Sequence, residues 1–297
     1  MRLLLFGATG FIGRHVQERA TGAETVTVSR RPGAGDVCLD LASAAPVDVS
    51  MLLDDVAPDA VVNCFGATRG DAADMVAGNV VSVTNLVRGL AAARRGGIRL
   101  VHLGSAAEYG AVPMGRVINE AARPNPVGPY GMTKLAGTEI IRTSWLDAVV
   151  LRVFNPVGPG LPASTLPGRV VAELRGPGDT VRVGSLAAYR DFVDVRDVAD
   201  AAFAAACVPG PLPRLLNVGS GQPTLLRELV HTLVRISGSD RQVVESNDSG
   251  AGGSARSAGV RWQQAHIGSI GRALGWRPAT GLETSLRDLW KEAACLA

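Results

Sequence analysis

Tyr130-Gly131-Met132-Thr133-Lys134 sets a phenol and an amine four residues apart. On a helix these positions share one face, so the two side chains are neighbours. A free tyrosine loses its proton near pH ~10, and an adjacent ammonium favours the phenolate. Such a phenol can exchange a proton with a carbonyl or alcohol oxygen while a cofactor exchanges hydride. The same spacing arises on ordinary solvated helix faces, so it needs company. Ser105 supplies it, closing the strand-like run Leu100-Val101-His102-Leu103-Gly104-Ser105. A hydroxyl at the carboxyl end of a parallel strand lies at the ligand edge of the sheet, where it can bond the oxygen that Tyr130 protonates.

A second constellation opens the chain. Gly7-Ala8-Thr9-Gly10-Phe11-Ile12-Gly13 follows an apolar run at residues 2–6 and begins a helical stretch. Glycines suit a tight turn and the close approach of a pyrophosphate, and the helix N-terminus adds free N–H groups and partial positive charge. Gly7, Thr9, Gly10, Phe11, Ile12 and Gly13 are therefore the expected phosphate cradle. The second strand ends in Val28-Ser29-Arg30-Arg31, without the acid that would bind the ribose 2′-OH of NAD. Ser29, Arg30 and Arg31 favour the 2′-phosphate of NADP(H), with NAD as the alternative. The competing account of Arg30 and Arg31 is that they are solvated charges. Asp40 and Leu41 are expected beside the adenine, and Phe65, Gly66 and Ala67 at the end of the next strand.

These residues require elements to hold them. Strand-like runs at 2–6, 25–29, 60–64, 100–103 and 148–153 alternate with helical stretches at 13–20, 75–95 and 131–145. That alternation predicts βαβ units and a Rossmann-like, doubly wound parallel sheet covered on both faces. After Asn155 the texture changes. The punctuated loop 156–162 leads to helices near 168–175, 195–207 and 224–237, the last capped by Thr224, and to strands near 180–183 and 215–218. A Gly/Ser/Ala-rich loop spans 247–259, and two short helices follow at 267–274 and 282–294. The expected division is a dinucleotide-binding domain at 1–155 and a smaller α/β substrate lobe at 156–297. The two interdigitate if the strand near Leu215 returns to the main sheet.

Composition narrows the class. The 297 residues are 46% hydrophobic and 19% charged, enough for a sizeable core. Net charge is +3 and no basic run is interleaved with aromatics, which argues against nucleic acid as a partner. No apolar run reaches the roughly 18 residues of a membrane span, and the run at 2–6 is too short for a secretion signal. Cys38, Cys64, Cys207 and Cys295 are widely separated, and His15, His102, His231 and His266 lack ligand spacing, so no metal is expected and the histidines read as structural. A cytoplasmic protein is the expectation. Lysine is rare, Lys134 and Lys291 against 28 arginines, which makes Lys134 conspicuous.

Taken together, the motifs resemble those of the extended short-chain dehydrogenase/reductases of the NAD-dependent epimerase/dehydratase group, enzymes acting mainly on nucleotide sugars. The resemblance rests on Gly7 to Gly13, on Ser105-Ala106-Ala107-Glu108-Tyr109-Gly110, and on Glu120 ahead of Pro129-Tyr130-Gly131-Met132-Thr133-Lys134. It continues through Arg152-Val153-Phe154-Asn155-Pro156-Val157-Gly158-Pro159, the segment from Arg190 to Ala199, Leu216-Asn217-Val218-Gly219-Ser220-Gly221 and Leu274-Gly275-Trp276-Arg277-Pro278. It implies that Ser105, Tyr130 and Lys134 form the catalytic triad, with Tyr130 and Lys134 also touching the cofactor. Asn155 would face the nucleotide sugar and Arg190 its diphosphate, with Arg256 or Arg261 as a second contact. An ion pair with Asp191 or Asp194 is the structural alternative for Arg190. The resemblance further implies a homodimer joined through the helices at 75–95 and 131–145.

Departures from the family pattern point to a reaction. Sugar 4,6-dehydratases carry an Asp-Glu pair just after the catalytic hydroxyl residue, where this chain has Ala106 and Ala107. Glu108 lies one place later, within reach of substrate only if the loop bulges. Epimerases retain NAD, and the acid that prefers NAD is absent. The leading expectation is an NADPH-dependent ketoreductase acting on a nucleotide-linked 4-keto-6-deoxysugar. The alternatives are a nucleotide-sugar 4-epimerase with tightly bound NAD, a reductase of a non-sugar ketone, and a non-catalytic NADP(H)-sensing regulator.

Overall fold

Short apolar runs separated by glycine turns place seven strands side by side. In the computed structural model, which describes residues 1–246 and 259–295, the first half runs β1 (Arg2–Phe6), α1 (Phe11–Arg19), β2 (Glu24–Ser29), β3 (Val37–Cys38), α2 (Pro46–Val56) and β4 (Ala60–Asn63). It continues with α3 (Ala72–Val76), a π-helical turn (Ala77–Val81), α4 (Ser82–Ala92), β5 (Arg99–Ser105), a 3₁₀ turn (Ala106–Glu108), α5 (Pro129–Arg142) and β6 (Ala148–Val153). The second half comprises β7 (Pro156–Val157), α6 (Leu166–Arg175), β8 (Thr180–Val183), β9 (Tyr189–Asp191), β10 (Val193–Asp194) and α7 (Val195–Cys207). Then come β11 (Leu215–Val218), β12 (Pro223–Leu225), α8 (Leu226–Ser237), β13 (Gln242–Glu245), α9 (Gly268–Leu274) and α10 (Leu282–Cys295).

The main sheet has the order β11-β6-β5-β4-β1-β2-β3, and every pair in it is parallel. Strand order reverses between β1 and β4, and ligands of such sheets bind beyond the carboxyl ends of the strands at that switch. Gly7 and Cys64, the residues after β1 and β4, stand there. Alternate residues of β1 explain the two-sided core. Leu3 and Leu5 join one cluster with Val16 of α1 and Ala202 of α7, whereas Leu4 and Phe6 join another with Leu53 of α2, Leu86 of α4 and Ile141 of α5. A Rossmann-like α/β fold is thus present. Residues after 155 contribute β11 and α7 to the sheet and its helical cover, while α6, β8, α8 and α10 enclose a separate core around Val170, Val181 and Leu229.

Three local expectations change. α2 was not foreseen: Ala45 offers no capping side chain, and the Asp48 carboxylate instead accepts the Ala45 amide at 2.9 Å. Thr224 does not cap a helix; it lies in β12, antiparallel to Arg190 of β9, and α8 begins at Leu226. The helix expected at 75–95 is interrupted by the π turn. Its 21 residues Ala72–Ala92 are apolar enough on average to cross a membrane by length and composition, but Val83, Leu86 and Leu90 pack into the core beneath the sheet. The loop expected at 247–259 lies, apart from Gly259, outside the described residues, as does Arg256.

Candidate active site

The glycine loop is shaped by contacts that a side chain would fill. Gly7 has φ +78°, and a Cβ there would stand 2.8 Å from the Phe65 amide nitrogen. A Cβ on Gly13 would stand 2.0 Å from the Gly7 carbonyl oxygen, so α1 can approach β1 only through glycine. Thr9 and Gly10 are exposed, Phe11 and Ile12 half-buried. No side chain caps the first turn of α1, which leaves its N–H groups to a ligand. This cradle fits the pyrophosphate of a nicotinamide dinucleotide.

At the adenine end, Ser29 is half-buried and its Oγ accepts the Arg31 amide at 3.1 Å, while Arg30 and Arg31 are exposed. Asp36, missed in the sequence, holds this loop: its carboxylate accepts both the amide and the hydroxyl of Thr27, at 2.8 and 2.7 Å. Those two bonds hold the Asp36 carboxyl below its ordinary pKa. Asp40 accepts the Ala42 amide in a local turn. Leu41 packs into the core with Val49 and Leu53. Phe65, Gly66 and Ala67 lie beyond β4 as expected, with the Phe65 amide donating to Asn63 Oδ1.

The catalytic candidates come from β5 and α5. Ser105 ends β5 and its Oγ accepts the Ala107 amide at 3.2 Å. Tyr130 is the second residue of α5 and half-exposed. Lys134, one turn on, is buried. Its Nζ donates to the Leu103 carbonyl at 2.5 Å and lies 3.5 Å from His102 Nε2. Burial lowers its pKa to about 8, against the opposing pull of Glu108 and Cys64. A Cβ on Gly66 would stand 3.6 Å from this Nζ, so the strip after β4 passes beside Lys134.

Asn79, in the π turn, was also missed. It donates to the Ala67 carbonyl and to Thr133 Oγ1, and accepts the Ala67 amide at 2.9 Å. It thereby ties residues 65–67 to α5 between Tyr130 and Lys134. Gly137 makes this possible, since a Cβ there would stand 2.5 Å from the Asn79 carbonyl oxygen.

The substrate-side residues divide. Glu108 is fully buried and bonds Arg152 Nε at 2.6 Å and the Ser105 amide at 2.8 Å. The 3₁₀ turn carries it into a fully buried pair with Arg152 of β6. Arg152 also stacks over the Tyr109 ring, 4.5 Å from its centroid. Asn155 adopts φ +20°, and its amide donates to the Asp191 carbonyl and Gln263. Arg190 is buried, its guanidinium donating to the carbonyls of Tyr189 and Val260. Burial lowers its pKa to about 10. The Asp191 carboxylate is taken by Ser220, Gly221 and Ala265, and that of Asp194 by Arg196 and Ser285. Arg261 is exposed.

A glycine cradle at the switch of a parallel sheet, facing a Ser, a Tyr and a buried Lys, defines a nicotinamide-dependent oxidoreductase site. The model of the NAD dependent epimerase/dehydratase family matches residues 3–219, and the chain belongs to that family. It is an NAD(P)-dependent enzyme of the extended short-chain dehydrogenase/reductase type. It is 36% identical over 306 residues to a dTDP-6-deoxy-L-talose 4-dehydrogenase (NAD(P)(+)) of Kitasatospora kifunensis, covering 97% of this chain and 94% of that protein. It is 29% identical over 308 residues to a GDP-6-deoxy-D-mannose reductase of Pseudomonas aeruginosa, covering 97% and 95%. Its fold matches RMD from Pseudomonas aeruginosa, solved with NADPH, at a TM-score of 0.84 and 26% identity, covering 100% and 99%.

Proposed function

We propose that the protein is an NADPH-dependent ketoreductase that reduces the 4-keto group of a nucleotide-linked 6-deoxysugar. The observation that carries this reading is the pairing of an intact Ser105, Tyr130 and Lys134 with the absence of an acid–base pair beside them. Ala106 and Ala107 have no titratable group, and the Glu108 carboxylate is held by Arg152. Elimination of water needs such a pair; carbonyl reduction needs a single proton donor. The relatives named as a 4-dehydrogenase and a 6-deoxysugar reductase support the same chemistry.

A dinucleotide with its pyrophosphate in the glycine cradle would supply the hydride from its nicotinamide. Tyr130 delivers the proton to the carbonyl oxygen as negative charge develops on it, and Ser105 holds that oxygen by a hydrogen bond. Lys134 favours the phenolate that remains on Tyr130. Arg190, a buried guanidinium on the lobe side, suits a diphosphate, and Asn155 orients the backbone beside it. Ser29, Arg30 and Arg31 hold the 2′-phosphate. Val76, Val81 and Met132, exposed on the α3–α4 and α5 faces, support a homodimer through these helices, which light scattering tests.

The reading is tested by denaturing freshly purified protein, identifying any released nucleotide, and titrating the empty protein with NADPH and NADH. An empty site that prefers NADPH supports a consumed cosubstrate. Stoichiometric retained NAD overturns the reading in favour of an epimerase.

A further inference from the structure

His102 sits opposite Asn63 across the parallel pair of β5 and β4, and both side chains are buried. Residues in register on neighbouring strands project to the same face. The Phe65 amide donates to Asn63 Oδ1 at 3.0 Å, which fixes the orientation of that side-chain amide. Its nitrogen then faces His102 Nδ1 at 3.1 Å, so Nδ1 accepts. Burial holds the His102 pKa well below its ordinary value, and Lys134 adds to this. A neutral imidazole accepting at Nδ1 carries its proton on Nε2, and Nε2 lies 3.5 Å from Lys134 Nζ.

We propose that Asn63 and His102 form a buried relay that positions Lys134 and disfavours its ammonium form. With the ammonium, two N–H donors stand face to face; with the free amine, the Nζ lone pair accepts the His102 proton. The Leu103 carbonyl accepts from Nζ in either form and keeps it in place. The other groups around Lys134 do not substitute for the relay. Glu108, after β5, is held by Arg152 of β6. Cys64, after β4, has its thiol pushed up to about 12 by burial. The π turn contributes the uncharged amide of Asn79. Tyr130 stands one turn earlier on α5. Burial already lowers the Lys134 pKa, and the relay adds to that effect. The proposal rests on the assignment of Lys134 to the active site and gives it a tuned proton.

The rarity of lysine makes the test direct. Labelling the ε-carbon of lysine leaves two resonances to follow by NMR, Lys134 and Lys291, and Lys134→Arg assigns them. Lys134 is expected to titrate near pH 8. In His102→Gln, whose side-chain amide can turn its oxygen to Nζ, the Lys134 midpoint is expected to rise by about one unit, a tenfold change in proton affinity. An unchanged or lowered midpoint in folded His102→Gln overturns the proposal. Should that variant fail to fold, ¹⁵N-histidine spectra of the wild type decide. A proton on Nε2 with Nδ1 bare supports the relay, and a proton on Nδ1 overturns it. A purely structural His102 would leave the Lys134 titration unmoved. Normal turnover by Tyr130→Phe would remove the reductase reading, while these titrations would still judge His102.

Discussion

The backbone of Gly131 lies against the carbonyl of Ala107, so close that a Cβ would stand 2.6 Å from that oxygen. This contact seats the first turn of α5, which carries Tyr130, on the 3₁₀ turn that follows Ser105. Gly131→Ala is expected to push the two apart. Overpacking of this kind costs about 1–3 kcal/mol, and a shift of about 1 Å in a reacting group can cost on the order of 100-fold in rate. The expected outcome is a fall in kcat/KM of at least roughly tenfold with the cofactor Kd little changed. Steady-state kinetics with a fluorescence titration of NADPH checks it.

Glu108 and Arg152 form an ion pair with 0% and 1% side-chain exposure. Glu108→Gln leaves the guanidinium buried without its carboxylate, and breaking such a pair costs about 3–5 kcal/mol. The variant is expected to lose several degrees of Tm. Because the carboxylate is fully buried against Arg152, the fraction that stays folded is expected to keep kcat within a few-fold of wild type. Glu108→Leu combined with Arg152→Leu is expected to recover much of the stability. Thermal melts and kcat on the same samples check both.

Arg30 and Arg31 are exposed on a loop that Asp36 pins to β2. Replacing both by alanine is expected to weaken NADPH at least roughly tenfold, the size of one or two charge-assisted hydrogen bonds. NADH binding should barely change, since it lacks the phosphate. Parallel calorimetric titrations with the two cofactors check it, and the NADPH effect should shrink at high salt.

How much of this was legible in the sequence depends on range. The β1–loop–α1 start and the Tyr130–Lys134 face are set by neighbours a few residues apart, where glycine spacing and the i, i+4 rule operate. α2 lacks a capping side chain at Ala45, and the acceptor that replaces it, Asp48, lies inside the helix. β9, β12 and β13 are three- or four-residue strands whose pairing exists only through distant partners. The site divides in the same way. Asn79 becomes meaningful once the π turn sets it between Ala67 and Thr133. Reading His102 requires the β4–β5 register that places Asn63 beside it. The buried pair of Glu108 with Arg152 depends on the 3₁₀ turn after Ser105 and on β6, some 44 residues away in the chain.

Lys134 also makes a prediction for stability. Its folded pKa of about 8 lies below the value of about 10.5 for a free lysine. Between these values the unfolded chain binds more protons, so the Lys134 contribution to stability rises with pH across that window. Below about pH 8 the buried ammonium is a standing cost, on the order of 3 kcal/mol at most. Lys134→Met removes the titration. The Tm of wild type relative to this variant is therefore expected to climb as pH rises from about 8 toward 10.5. Melts of both proteins across that range check it.

The most direct test of the central claim is turnover. The purified enzyme would be mixed with NADPH and a nucleotide-linked 4-keto-6-deoxyhexose, following the loss of NADPH absorbance and identifying the sugar by NMR. One NADPH oxidised per sugar reduced at C4 is expected, with the rate falling at least roughly 100-fold in Tyr130→Phe. Conversion of a 4-hydroxy nucleotide sugar to its epimer without NADPH consumption, or full activity in Tyr130→Phe, would contradict it.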